Sequence, residues 1–205
     1  MKRGGSPHLL ASALLGLLLL SACGKVRYPT NYILNFPRPA SPVVAPDAAF
    51  GPVVINEFRC LEYLCQGRIV YRPRPEEIGF YEYHRWAMDP RQSITQLMAD
   101  TLRARSIFKH AAMQGRGIEA DYILNGGIER LEEVDEGRDV RVECAISAQL
   151  IDTRTGAIVW SGAASQTIPV GKRDVAGVVV ALTTAAQTVV DRLVKSMTDQ
   201  LMSTR

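Results

Sequence analysis

The 205-residue sequence predicts a single α+β domain, an antiparallel-rich mixed sheet with two amphipathic helices packed on one face. Three observations carry this. Segments rich in β-branched and aromatic residues, separated by turn residues, recur between residues 52 and 86 and between 120 and 168, and such runs read as strands. Two other stretches, after Asp89 and after Asp174, repeat apolar residues at helical spacing. Each helical stretch has one apolar face, so the simplest packing lays both on one side of a sheet.

Taken in order, residues 1–22 precede the domain. Lys2 and Arg3 lead into an apolar run from Leu9 to Leu20, followed by Ser21-Ala22-Cys23, the pattern of a cleaved secretory signal. The run is well short of the ~20 residues that a membrane span needs. "LSAC" resembles the bacterial lipobox, and by that resemblance Cys23 becomes the first mature residue and the lipid-attachment site. The alternative is an ordinary secretory signal that happens to end at a cysteine. Bacterial lipoproteins carry several acyl chains, and two membrane signals already anchor stably. Gly24 rather than Asp at the second mature position favours the periplasmic side of the outer membrane over the inner membrane.

Residues 23–50 then read as a lipidated cysteine and a tether. Pro29, Pro37, Pro39, Pro42 and Pro46 make it extended, with a reach of about 3 Å per residue. Within it, residues 31–35 are a candidate short edge strand around Tyr32-Ile33-Leu34. The periplasmic α+β domain occupies 51–205. Its first strands are "PVVINEFRC" (52–60), "GRIVYR" (67–72) and "IGFYEYHRW" (78–86), with "RPRPEE" as the hairpin loop between the last two. A helix follows, with Asp89 as N-cap, Pro90 at the first helical position and Gln92 completing a capping box. Ile94, Leu97, Met98, Thr101 and Leu102 form its apolar face.

After "SIFKHAA" and a turn around Gly115 and Gly117, "ADYILNGGIERLEEV" (120–134) is a long strand with an expected bulge at Gly126-Gly127. "DVRVECAISAQLID" (139–152) alternates cleanly, with Val140, Val142, Cys144, Ile146, Ala148 and Leu150 on one face. Arg141, Glu143, Ser147 and Gln149 lie opposite, the pattern of a half-buried antiparallel strand. "TRTG" turns the chain into a strand over 157–168. From about Asp174, Val175, Val178, Val179, Leu182, Ala186, Val189, Leu193 and Met197 repeat on one helical face. Its Thr, Gln and Asp residues argue against a membrane span.

Composition and motifs exclude several classes. Loss of residues 1–22 removes Lys2 and Arg3 and no acid, so the formal charge falls from +3 to about +1. No basic block remains on which nucleic-acid binding could be built. "GRGIEA" (Gly115, Gly117, Ala120) spells a dinucleotide fingerprint, but it precedes a strand instead of linking strand to helix. There is no G-x-x-x-x-G-K-[ST] and no G-x-S-x-G. With His8 in the leader, only His84 and His110 remain. Glu82 and His84 share a strand face and could pair, yet a zinc site needs more ligands than this. The expectation is a non-enzyme with no catalytic residues, no metal and no cofactor.

Three cysteines remain besides Cys23. Cys60 and Cys65 close a short loop in an oxidising compartment, so they are either a disulfide or two semi-buried thiols. Cys144 sits on the apolar face of a strand and reads as core. "FYEYHRWAMDP" (80–90) concentrates aromatics around His84. Strand alternation puts Tyr81, Tyr83 and Arg85 on one face and Phe80, Glu82 and His84 on the other. The stretch reads first as a structural seam into the helix. Second, because aromatics and Arg are enriched at contact hot spots, Tyr81, Tyr83 and Arg85 are a candidate partner surface.

"NYIL" after the lipobox, "GRIVYRPRPEEIGFYEYHRWAMDP" and "LIDTRTGAIVWSG" together resemble the ABC-type transport auxiliary lipoprotein family, which includes the lipoprotein of the paraquat-inducible system. The resemblance covers nearly the whole mature chain. It implies a periplasmic domain, lipid-anchored to a membrane, that serves transporters of the mammalian-cell-entry (MCE) type moving lipids across the envelope. The implied partners are an MCE-domain protein and other ABC transport components, and homo-oligomerisation stays open. Cys60 and Cys65 are not part of the family pattern. The alternative function is a lipoprotein regulator of envelope biogenesis, such as an activator of a peptidoglycan synthase, which shares the tethered design and a tryptophan-containing hairpin.

Overall fold

The computed structural model describes residues 27–37, 48–115, 119–137 and 139–204. The expected signal peptide, Cys23 and most of the proline-rich tether lie outside them. In chain order the elements are β1 (Thr30–Tyr32), β2 (Val53–Ile55), β3 (Arg59–Cys60), a 3-10 turn (Glu62–Leu64), β4 (Arg68–Arg74) and β5 (Glu77–Trp86). Then follow α1 (Pro90–Arg105), β6 (Ala111–Met113), β7 (Tyr122–Glu136), β8 (Asp139–Asp152), β9 (Ile158–Pro169) and α2 (Val175–Ser203).

The two edges of β7 are used differently. One edge pairs antiparallel with β8 from Tyr122↔Asp152 to Glu136↔Asp139. The other takes three short parallel partners in succession: β2 at Val53↔Tyr122, β3 at Arg59↔Gly127 and β4 at Tyr71↔Glu133. β9 extends the sheet beyond β8, antiparallel. β5 pairs antiparallel with β4 and carries β1, parallel, on its outer edge, while β6 pairs parallel with β2. β2, β3 and β4 therefore run the same way as β7, while β5, antiparallel to β4, runs against it. The outcome is the single α+β domain expected, with antiparallel long strands and parallel short ones.

α2 lies along β8 and β9, α1 lies against β2 and β6, and the helices touch each other. The core between them and the sheet includes Val142, Cys144, Ile146 and Leu150 of β8, Ile94 and Met98 of α1, and Leu182, Val189 and Met197 of α2, all buried. By length and apolar composition α2 is long enough to cross a membrane, but its apolar side is occupied by this core. Trp160 and Phe58 fill the middle of the core. A Cβ added at Gly162 would lie 2.6 Å from the Trp160 ring, and one at Gly126 would lie 2.5 Å from the Phe58 ring. Gly126, Ala148 and Gly162 are register partners across β7, β8 and β9, so one row of small residues makes room for both rings.

Several local expectations change. "PVVINEFRC" is two strands, because the Phe58 amide donates to Thr95 Oγ1 of α1 at 3.0 Å instead of continuing the ladder. The β7 bulge falls at Glu129, between the Ile128 and Arg130 pairings, and not at Gly126-Gly127. Asp89 caps α1 by accepting from the Arg91 amide at 2.8 Å. Its second partner is the Arg91 guanidinium, with Nε at 2.9 Å, and among the described residues no Gln92 bond completes a capping box. The turns into β8 and β9 place Gly137 and Gly156 at positive φ, 79° and 71°, where a side chain would be strained.

Candidate partner interface

The stretch 80–86 forms most of β5, beside the first strand of the described chain, β1. β1 docks on it with Thr30↔His84, Asn31↔Arg85 and Tyr32↔Trp86. On its other side β5 breaks register with β4. Between the pairs Arg68↔Arg85 and Val70↔Phe80, a single β4 residue faces four residues of β5. This excess overturns the simple alternation expected for 80–85. His84 and Tyr81 now come together, rings edge-on with centroids 5.7 Å apart. Glu82 does not pair with His84. The His84 Nδ1 instead hydrogen-bonds the Tyr32 hydroxyl at 3.2 Å.

Tyr81 is held from within. Its hydroxyl donates to Glu133 Oε2 at 2.6 Å, and its ring sits 5.2 Å from that of Tyr71. Burial, followed by the hydrogen bond to the Glu133 carboxylate, pushes the Tyr81 phenol well above its ordinary range. Burial also raises the Glu133 carboxyl, with the Tyr81 hydrogen bond working against it. Tyr83 and Arg85 are exposed, and the Arg27 guanidinium lies over the Tyr83 ring at 5.8 Å. Of the three candidate contact residues, then, Tyr83 and Arg85 face solvent while Tyr81 is engaged in the fold.

On the opposite side of β7, Glu132 has a fully buried side chain. Arg72 grips it with two bonds, Nε to Oε1 at 2.9 Å and Nη2 to Oε2 at 3.0 Å. Arg130 adds a third at 2.9 Å. Such a bidentate pair fixes β4 to β7 in orientation as well as distance. Cys60 and Cys65 are joined across the 3-10 turn, Cα to Cα 6.3 Å, and Cys144 is buried without a partner, its thiol pushed up to about 12 by burial.

Sequence reasoning missed both carboxylate clamps. The signal available was two adjacent acids, Glu132 and Glu133, inside an otherwise alternating strand. Among the described residues, no three of His, Cys, Asp and Glu gather in a way that could hold a metal ion. Gly117 of the rejected fingerprint lies outside the described residues. The region presents one exposed aromatic, Tyr83, and one exposed cation, Arg85, on the strand that Tyr81 ties to Glu133.

A mixed sheet of this topology covered by two helices defines a small α+β module. Over residues 32–194 the chain matches the family described as ABC-type transport auxiliary lipoprotein component, and it belongs to that family. The protein is accordingly an auxiliary component of ABC-type transport from a lipoprotein family. Among solved structures it is similar to protein XCC0632 from Xanthomonas campestris, at 19% identity and TM-score 0.71, covering 86% of this chain and 100% of that one. A second similar structure, an uncharacterized protein, has 12% identity and TM-score 0.65 over 83% of this chain and 99% of its own. A PelC dodecamer from Paraburkholderia phytofirmans is more distant, at 22% identity and TM-score 0.46 over 71% of this chain and 90% of that one. No curated protein matches the chain.

Proposed function

We propose that this lipoprotein is the accessory subunit of an MCE-type lipid transporter, anchored through Cys23 to the periplasmic face of the outer membrane. The observation that carries the reading is membership in the transport auxiliary family across residues 32–194. Its role is contact, not chemistry. A tethered domain gains effective concentration for any partner within reach of the tether, so a modest interface suffices. The tether enters the fold as β1 on β5, the strand that carries Tyr83 and Arg85. That surface is the proposed contact with the MCE-domain partner, since exposed aromatics and arginines dominate interface energies.

Crosslinking in intact cells tests this. The expected product joins the lipoprotein to an MCE-domain protein. Tyr83→Ala or Arg85→Ala should weaken the product several-fold while the melting temperature of the purified domain holds. Deletion should leave cells sensitive to detergent and organic solvent. Recovery of cell-wall synthases alone, with an intact lipid barrier after deletion, overturns the proposal and transfers the protein to envelope biogenesis.

A further inference from the structure

Among the described residues the outer edge of β9 is the end of the sheet, and its backbone is protected unevenly. The Val170 amide donates to the Val140 carbonyl at 2.9 Å, which fixes the ladder phase. Carried through the register of β8 and β9, that phase turns the N–H and C=O groups of Ser161, Ala163, Ser165 and Thr167 outward. Past the irregularity at Leu150/Ile151, the Val159 carbonyl is also reached from outside. Side chains cover most of these carbonyls. Gln200 Nε2 donates to Val159 O at 3.1 Å, Arg192 Nη1 to Ser165 O at 3.1 Å and Gln166 Nε2 to Thr167 O at 2.9 Å. Between these caps, no intramolecular hydrogen bond among the described residues reaches the outward groups of Ser161 and Ala163.

A bare edge is a template for another strand, and proteins normally guard it with charge, proline or a covering element. β9 carries no charged side chain, and its one proline, Pro169, stands at its far end, away from Ser161 and Ala163. The uncapped window therefore offers two donors and two acceptors, enough for four backbone hydrogen bonds, with no electrostatic guard on the strand itself.

The open sheet face beside this window says what kind of strand fits. Two rows meet there by register: Gly127–Ser147–Ala163 and Asn125–Gln149–Ser161. These rows floor an open furrow of about 640 Å³ that runs out at the uncapped edge and is walled toward β7 by Arg59 and by Glu129, whose carboxylate accepts from Ser147 Oγ at 2.8 Å. An added strand lies about 4.8 Å from β9 and about twice that from β8. Only a long or aromatic side chain spans that distance to lie in the furrow beside Ser147 and Glu129. A second copy of β9 would bring Ser161 and Ala163 to the same place and leave the furrow open.

We infer that Ser161–Ala163 is a strand-addition site, taking an extended partner segment whose backbone pairs with β9 and whose large aromatic side chain lies in the furrow. Pairing of this kind draws affinity from main-chain hydrogen bonds and specificity from alternate side chains. The inference does not rest on the transport reading. A partner outside any transporter would support this site while counting against that reading.

The test places a photoreactive residue at position 161 or 163 of the full-length lipoprotein in its native envelope and maps the adduct by mass spectrometry. The expected adduct lies in an extended, aromatic-containing segment of another protein. Ala163→Pro removes the outward N–H without touching the β8 ladder, and should cut adduct yield from position 161 at least tenfold. In the purified wild-type complex, the amides of Ser161 and Ala163 should exchange at least tenfold more slowly than in the lone protein, a readout independent of whether the proline variant folds. No adduct, an adduct to a second copy of this chain, unchanged exchange, or a folded proline variant that crosslinks like wild type would each overturn it.

Discussion

The Tyr81 hydroxyl donates to Glu133 Oε2 at 2.6 Å, joining β5 to β7 across 52 residues of sequence. Glu133 is buried and its register partner on β8 is Val142, so the carboxylate is drawn out of water with Tyr81 as its hydrogen-bond donor. Burial raises the folded-state carboxyl above its unfolded value of about 4.3, and the nearby Asp135 adds to the rise. A raised folded-state value means that the folded protein holds this proton more tightly than the unfolded chain. The resulting stability is full below the unfolded value and lost as the pH rises through the folded one.

Glu133→Gln keeps an acceptor for Tyr81 and removes the buried charge. Its melting temperature should match wild type near pH 4 and exceed it near pH 7, so that the wild-type loss between these values disappears. Tyr81→Phe strands the carboxylate instead and should cost about 1–3 kcal/mol at neutral pH. Thermal melts across pH check both, and a variant that tracks wild type at every pH would remove Glu133 from the account.

Arg72 and Glu132 form the complementary clamp on the other side of β7. Arg72→Met leaves the buried Glu132 carboxylate with Arg130 as its remaining partner. Removal of one partner of a buried pair costs about 3–5 kcal/mol, whereas replacement of both by apolar residues is often close to neutral. Arg72→Met should therefore fall near the lower end of that range, because Arg130 stays. The double variant Arg72→Met, Glu132→Leu should recover much of the loss. Urea unfolding of the purified domain gives both numbers.

What the sequence made legible was whatever depends on local periodicity. The apolar face of α2, the alternation of β8 and the Asp89 cap all follow from residues within one or two turns of each other, and the structure has them. What stayed hidden depends on partners far along the chain. No local pattern says that β7 divides one edge among β2, β3 and β4, or that Phe58 gives its amide to Thr95 37 residues away. The same limit applies to the candidate surface. Strict alternation separates Tyr81 from His84, and only the surplus of β5 residues opposite β4 brings them into contact. The exposure of Tyr83 and Arg85 is set by that irregularity, which a single sequence does not print.

Cys60 and Cys65 should be oxidised in the periplasm. Alkylation without reductant, followed by intact mass, is expected to leave this pair unlabelled. Reduction should then expose two thiols and lower stability by about 2 kcal/mol on the loop-entropy model. Cys144 reacts only on unfolding, because burial holds its thiol protonated and out of reach. Two labelled cysteines in the native, unreduced protein would contradict the bridge.

Cys23 should carry the membrane anchor, and its loss is expected to separate localisation from folding. The sheet and core contacts described above are made by residues from Arg27 onward. Cys23→Ala should give unlipidated precursor or a mature chain that washes off membranes without detergent, with the melting temperature of the purified domain unchanged. Fractionation and acyl-mass measurement on the N-terminal peptide check the first point. A second variant, Gly24→Asp, tests the destination: if the residue after Cys23 sorts the protein, wild type fractionates with the outer membrane and Gly24→Asp with the inner one. Moving the anchor should also abolish the envelope crosslink, because a tether of about 3 Å per residue starting from the wrong membrane holds the Tyr83–Arg85 surface away from a partner reaching the outer one. Wild-type protein that lacks acyl mass on Cys23 and is released by salt alone would remove the anchor from this account.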